Sequence, residues 1–227
     1  MGLNTRSTSQ VTHSQKFIKR LFDLIWALLG LLSLWPVLVI GFVAATLSCR
    51  AWGIFTQIRV GRHGNLFTVY KLRTMYTDFE DKNNTVTVGN DPRITPIGRL
   101  LRKFKLDELP QLFNVVLGDM SLVGPRPDVS GYADRLVGDE REILELRPGI
   151  TGPATIKYKY EELLLAQQDS PHDYNDEVIY PDKVRINLDY LRNYSLTTDI
   201  SYIMMTLGLI DLPSDLKIDV QNEKYPQ

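Results

Sequence analysis

The sequence predicts an α-rich α+β protein built on a kinked N-terminal membrane helix, with a small β-hairpin and amphipathic helices lying in the membrane interface. Three observations carry this expectation. The run from Leu24 to Leu47 contains no charged residue. Gly61 and His63-Gly64-Asn65 separate two stretches of strand character. Ile97, Leu100, Leu101 and Phe104 recur at helical spacing, with Arg99, Arg102, Lys103 and Lys105 between them.

In chain order, residues 1–15 are polar and read as a flexible lead-in. The segment 16–50 is the membrane part. As a helix, Leu24 to Leu47 would be about 36 Å long at roughly 1.5 Å per residue, more than the ~30 Å hydrocarbon core. A buried soluble helix would need a shell that the rest of the chain can hardly provide. Pro36 removes an N–H and clashes with the preceding turn, so a helix break is expected there. Lys16, Lys19 and Arg20 precede the run, and Arg50, Arg59 and Arg62 follow it. With positive charge at both ends, the positive-inside rule does not choose a side. Two courses stay open: the helix bends at Pro36 and returns to the side it left, or it crosses as a kinked transmembrane helix.

Residues 51–213 read as one soluble domain, and 214–227 as a loose polar tail. After the hairpin comes a polar loop over 78–90, then the basic amphipathic helix, suited to the interface plane. A basic face solvated over a soluble core is the plainer alternative. Asp107 is expected to N-cap a second helix running to Gly118, with Pro110 in its first turn. That position favours an ionised carboxylate, which beside Lys and Arg can attack phosphorus and form an acyl phosphate. Glu108 could bind a divalent cation or move a proton. The residues alone leave open that Asp107 merely caps and Glu108 merely decorates the turn. Gly124-Pro125-Arg126-Pro127 holds a guanidinium on a stiff backbone, a geometry suited to phosphate. Arg147-Pro148-Gly149-Ile150-Thr151-Gly152 is a second turn of that kind. Asp182 to Tyr194 reads as an exposed helix, and Ile200 to Ile210 as an apolar stretch too short to span.

The composition narrows the classes. There are 26 basic and 27 acidic residues, for a formal net charge of -1, so nucleic acid is not an expected partner. One cysteine and three histidines exclude an intramolecular disulfide and a zinc cluster. Walker A, GxGxxG and Ser-His-Asp patterns are missing.

Taken in order, Phe55-x-Gln57-x-Arg59-x-Gly61, Lys71-Leu72-Arg73-Thr74-Met75, Asp91-Pro92-Arg93-Ile94-Thr95, Leu106 to Gln111, Gly118 to Pro127 and Arg147 to Gly152 resemble the bacterial sugar transferase family. This is the family of monotopic polyprenyl-phosphate phosphoglycosyl transferases, which the chain resembles in its short form, and the likeness runs from about Lys16 to Thr206. The resemblance implies that the helix re-enters at Pro36 and that residues 51–213 form a catalytic domain on the cytoplasmic face of the bacterial inner membrane. It implies a UDP-sugar donor, Mg²⁺ and a polyprenyl phosphate acceptor, with membrane lipids and a second copy of the chain as further partners. Asp107 matches the nucleophile and Glu108 its metal or proton partner, both at the metal. Lys71, Arg73, Arg102, Arg126, Lys159 and Asp189 match substrate-binding positions. Lys159 stands where the family has an arginine, and Trp35 where many members have serine before the proline. A glycosyltransferase that moves the sugar without its phosphate, and a non-catalytic membrane module, are the rival readings.

Overall fold

The computed structural model describes residues 12–77, 91–213 and 216. The loop expected over 78–90 lies outside them, as do most of the lead-in and the tail.

Helix α1 (His13–Cys49) opens with a capping box: the Thr12 side chain accepts from Gln15 N–H, and the Gln15 side chain accepts from Thr12 N–H. It therefore starts a few residues before the expected 16. The break expected at Pro36 is not seen: α1 runs as one helix through it, and one turn earlier Ser33 Oγ donates to the Leu29 and Gly30 carbonyls. Its buried residues, Asp23, Ala27, Gly41, Ala45 and Cys49, lie towards the two ends of the run, whereas Leu32, Trp35 and Ile40 between them are exposed. Only 11% of its most apolar 18 residues is buried. The helix is thus no core helix of a soluble protein.

Both halves of α1 rest on the same domain. Towards the N-terminus, Ala27 packs with Val69, Leu112, Val115 and Met120. Arg20 donates to the Val115 and Val116 carbonyls at 2.6 and 3.0 Å, satisfying the open end of α3 (Gln111–Leu117). Asp23 accepts from Ser121 Oγ at 2.8 Å and from Leu122 N–H at 3.1 Å. Lys19 meets the buried Asp199 at 2.6 Å. Lys19 and Arg20 are thus bound within the protein rather than left as free charges flanking the membrane. Towards the C-terminus, Ala45 packs with Leu72 and Leu101, and Gly41 lies under Leu72.

The expected hairpin forms from β1 (Ile54–Val60) and β2 (Leu66–Leu72), antiparallel, with Phe55 opposite Lys71 and Arg59 opposite Phe67. Next comes α2 (Pro96–Lys103), capped by Thr95, whose side chain accepts from Gly98 N–H. Leu101 is its inward residue, while Leu100 and Phe104 are 55% and 60% exposed. The apolar stripe of α2 is thus divided, with Leu101 in the core and Leu100 and Phe104 left uncovered by the domain.

A second sheet escapes the sequence reading. Strands β3 (Ser121–Val123) and β4 (Gly149–Thr151) pair in parallel, laying the two Arg-Pro turns side by side. Short helices α4 (Pro153–Lys157), α5 (Glu161–Ala166) and α6 (Pro171–Tyr174) follow, and a π-helical turn over Asn175–Ile179 leads into α7 (Tyr180–Arg192). The expected exposed helix over 182–194 is only half exposed, since Val184, Ile186, Tyr190 and Leu191 are buried. Its charges alternate with apolar residues because one side is core. The chain closes on α8 (Leu196–Thr206).

Candidate active site

Leu106–Glu108 form a single 3-10 turn between α2 and α3. Lys105 before it is left-handed, at φ 56°. The backbone reversal lets the chain leave α2 and bury both Asp107 and Glu108. The expected capping role of Asp107 is corrected here: α3 starts after Pro110, which caps it without a side-chain bond. Proline in place of a capping side chain pushes the acidic pair a turn upstream and into the interior.

Glu108 is the fixed member of the pair. Its Oε1 accepts from Arg126 Nη2 at 2.6 Å and from Lys71 Nζ at 3.4 Å. Burial alone would raise its pKa, but Arg126 and Lys71 outweigh it and hold the carboxyl well below the usual range. Glu108 in turn raises the pKa of Arg126. Burial, with help from Arg126, depresses Lys71 to about 8.

Asp107 is the open member. Its Oδ1 is buried and has no hydrogen-bond partner. Burial and then the Glu108 charge push its pKa up, against the pull of Lys71, Arg102 and Lys105. This is the reverse of the depressed value that a capping position would give. Orphaned buried carboxylate oxygens are costly, and they recur where a ligand completes the site.

The recurring motifs explain themselves as supports. Thr74 Oγ1 accepts from Arg102 Nε at 3.0 Å. The Thr74 carbonyl lies so close to Gly98 that an added Cβ would sit 2.1 Å from it. Arg93 clasps Asp91 at 2.6–3.0 Å just before Thr95 caps α2. Gly124, Gly149 and Gly152 press backbone on backbone: a Cβ on Gly149 would lie 2.1 Å from Gly124 N, and one on Gly152 2.3 Å from Gly124 O. Only glycine permits that approach, and it seats the loop bearing Arg126.

The structure thus gathers Asp107, Glu108, Lys71 and Arg126 by contact or charge, with Arg102 close enough to act on Asp107. Three further expected positions have contacts of their own. Arg73 donates to the Trp52 carbonyl and stacks on Phe55. Lys159 lies over the Tyr160 ring. Asp189 is largely exposed on α7, 4.0 Å from Arg185. Arg59 carried no role from the sequence, yet it belongs with the cluster. It donates to the Pro127 carbonyl and to Gln57, and its charge acts on Lys71. The signal was strand period: Phe55, Gln57 and Arg59 share the face of Lys71. Beside them, burial raises Asp128 to about 6, against Lys183, Arg59 and Arg126.

Among the described residues no group of three or more His, Cys, Asp or Glu is arranged to hold a metal alone. The orphaned Asp107 Oδ1 fits the single-carboxylate footing that Mg²⁺ uses when a substrate diphosphate supplies further oxygens.

Comparison with known proteins shows the family. Residues 14–210 match the profile of the bacterial sugar transferases. The undecaprenyl-phosphate galactose phosphotransferase of Salmonella typhimurium is 36% identical over 214 residues, 87% of this chain and 41% of that protein. The undecaprenyl-phosphate glucose phosphotransferase of Komagataeibacter xylinus is 39% identical over 196 residues, 83% of this chain and 35% of the relative. The uncharacterized sugar transferase EpsL of Bacillus subtilis is 33% identical over 190 residues, covering 84% of this chain and 85% of EpsL. The chain spans less than half the length of the first two.

Proposed function

Because the chain belongs to the bacterial sugar transferase family, we propose that it moves a sugar 1-phosphate from a UDP-sugar to a polyprenyl phosphate through a covalent bond to Asp107. The observation that carries the proposal is the buried, unpartnered Asp107 Oδ1 beside a Glu108 already committed to Arg126 and Lys71.

In the first step an Asp107 oxygen attacks the phosphorus next to the sugar. The bond from that phosphorus to the bridging oxygen breaks, and UMP leaves with that oxygen and its electron pair. In the second step a phosphate oxygen of the polyprenyl phosphate attacks the same phosphorus and expels the Asp107 carboxylate, giving the polyprenyl diphosphate-sugar. Positioning and charge neutralisation dominate such transfers. Arg126 is held at a fixed place by Glu108 and can meet a donor phosphate with its remaining N–H groups. Lys71 lends positive charge close to both carboxylates. Mg²⁺, when bound at Asp107 and the donor diphosphate, would neutralise charge building on the leaving phosphate.

The acceptor is a lipid, and α1 takes the site to it. We read α1 as a re-entrant helix with both ends on the cytoplasmic face of the inner membrane. Support comes from its two docked halves and its exposed middle at Leu32, Trp35 and Ile40. Membranes holding the protein, incubated with polyprenyl phosphate, Mg²⁺ and a panel of UDP-sugars, should release UMP. Asp107→Asn should lower the rate at least ~10³-fold, as loss of an essential nucleophile does. Release of UDP, or turnover retained by the variant, refutes the reading.

A further inference from the structure

A second cationic pocket lies apart from the acidic pair, at the foot of α1. Lys16, Lys19, Arg62 and Arg147 line it, together with Asp23 and Glu145. Its charges do not cancel. Lys19 is spent on Asp199, and Asp23 is satisfied by Ser121 and Leu122. Arg62 uses Nε on the Glu145 carbonyl, and Arg147 uses Nε on the Gly118 carbonyl. Glu145 is itself exposed. Lys16, Arg62 and Arg147 are half-buried and keep donors for a further partner. Burial and then the neighbouring Arg62 and Arg20 charges depress the Arg147 pKa, outweighing the opposing pull of Asp23. The Tyr194 ring closes the same wall, with the Lys19 ammonium over its face. At about 50 Å³ the cavity holds roughly three to five waters, room for one phosphate group.

The neighbourhood names the carrier. Phe17, Ile18 and Leu21, on the same turns of α1 as Lys16 and Lys19, are 70%, 51% and 48% exposed. A phosphate in the pocket would thus stand next to apolar surface that acyl chains would cover. We infer that this pocket binds the phosphate of an anionic membrane lipid and locks the foot of α1 to the bilayer surface. Basic pockets beside membrane helices hold such headgroups through charge-assisted N–H bonds. The inference rests on α1 being in the membrane and not on the transfer reaction.

Full-length protein in detergent, titrated with dioctanoyl phosphatidylglycerol or dioctanoyl phosphatidylcholine, tests it by thermal midpoint and by native mass spectrometry. The anionic lipid should bind saturably and raise the midpoint, at least tenfold more tightly than the zwitterionic one. Lys16→Gln with Arg62→Gln should weaken it at least tenfold, and Lys16→Arg with Arg62→Lys should restore it. Inorganic phosphate at tens of millimolar should displace the lipid. Equal binding of the two lipids, an unchanged affinity in the Gln pair, or protection by inorganic phosphate with none by lipid overturns the inference. Should the Gln pair fail to fold, lack of competition between phosphate and lipid on the wild type overturns it. No sugar donor enters these measurements, so they fail or succeed apart from the UMP assay.

Discussion

Asp107 and Lys71 titrate in opposite senses around the reaction, and their environments fix the direction of each. In the proposed reaction Asp107 attacks as the ionised carboxylate, and burial with the Glu108 charge raises its pKa. Activity should therefore fall on acidification at a pH above the ordinary aspartate range. Lys71 is protonated below about 8 and loses its charge above it, so a second fall is expected as pH rises through about 8. Lys71→Arg should move that basic limb upward, because guanidinium stays charged. Glu108→Gln should move it downward, because the Glu108 charge is what raises Lys71. A pH–rate profile of the three proteins checks both signs, and a basic limb that ignores both substitutions rules Lys71 out as its source. At this scale the sequence marked out Asp107, Glu108 and Arg126 by residue type in a motif, and the fold buries the acidic pair with Arg126 on Glu108. The sequence misread Asp107 as a cap because capping is a local pattern, whereas burial depends on what the rest of the chain brings over it. For Lys159 and Asp189 the structure gives only local partners, the Tyr160 ring and Arg185.

At the scale of elements, the β3–β4 pair seats Arg126, and its tolerance is set by three glycines. A Cβ at Gly149 would meet Gly124 N at 2.1 Å and Thr151 O at 2.4 Å, both backbone atoms that cannot swing aside. Gly149→Ala should cost about 3 kcal/mol or more, lowering the thermal midpoint by roughly 6–12 °C for a protein of this size. Gly138 is the control. Its φ is +59° with nothing within 4 Å of an added Cβ, so Gly138→Ala should cost only the left-handed penalty of about 1 kcal/mol. Differential scanning fluorimetry of both variants separates close approach from conformational strain, and equal losses would contradict the packing argument. The hairpin and α2 were legible because strand alternation, turn glycines and helical period are local. The parallel pair was not: three-residue strands leave no period to read, and Ser121 meets Gly149 across an intervening stretch with its own turns and helix.

For the whole molecule, the question that composition left open is the path of α1, and its docking contacts constrain it. A 37-residue helix is about 55 Å long, ample to cross a ~30 Å hydrocarbon core. Yet Arg20 and Asp23 reach α3 and β3, while Gly41 and Ala45 reach β2 and α2. A few residues join α2 to α3 through the acidic turn, so those partners cannot stand on opposite faces of a bilayer. A spanning helix would tear one set away, leaving the buried Asp23 carboxylate and the Arg20 guanidinium without partners, at several kcal/mol for each buried charge. Pro36, with its missing N–H, lies in the exposed middle, where a bend disturbs neither docked half. In a Cys49→Ser background, Ser14→Cys and Arg50→Cys should both react with an impermeant maleimide from the cytoplasmic side. Trp35→Cys should be shielded from both sides. Labelling of Ser14→Cys and Arg50→Cys from opposite faces would require the domain to release one half of α1, and would overturn the proposed re-entrant path in favour of a spanning one.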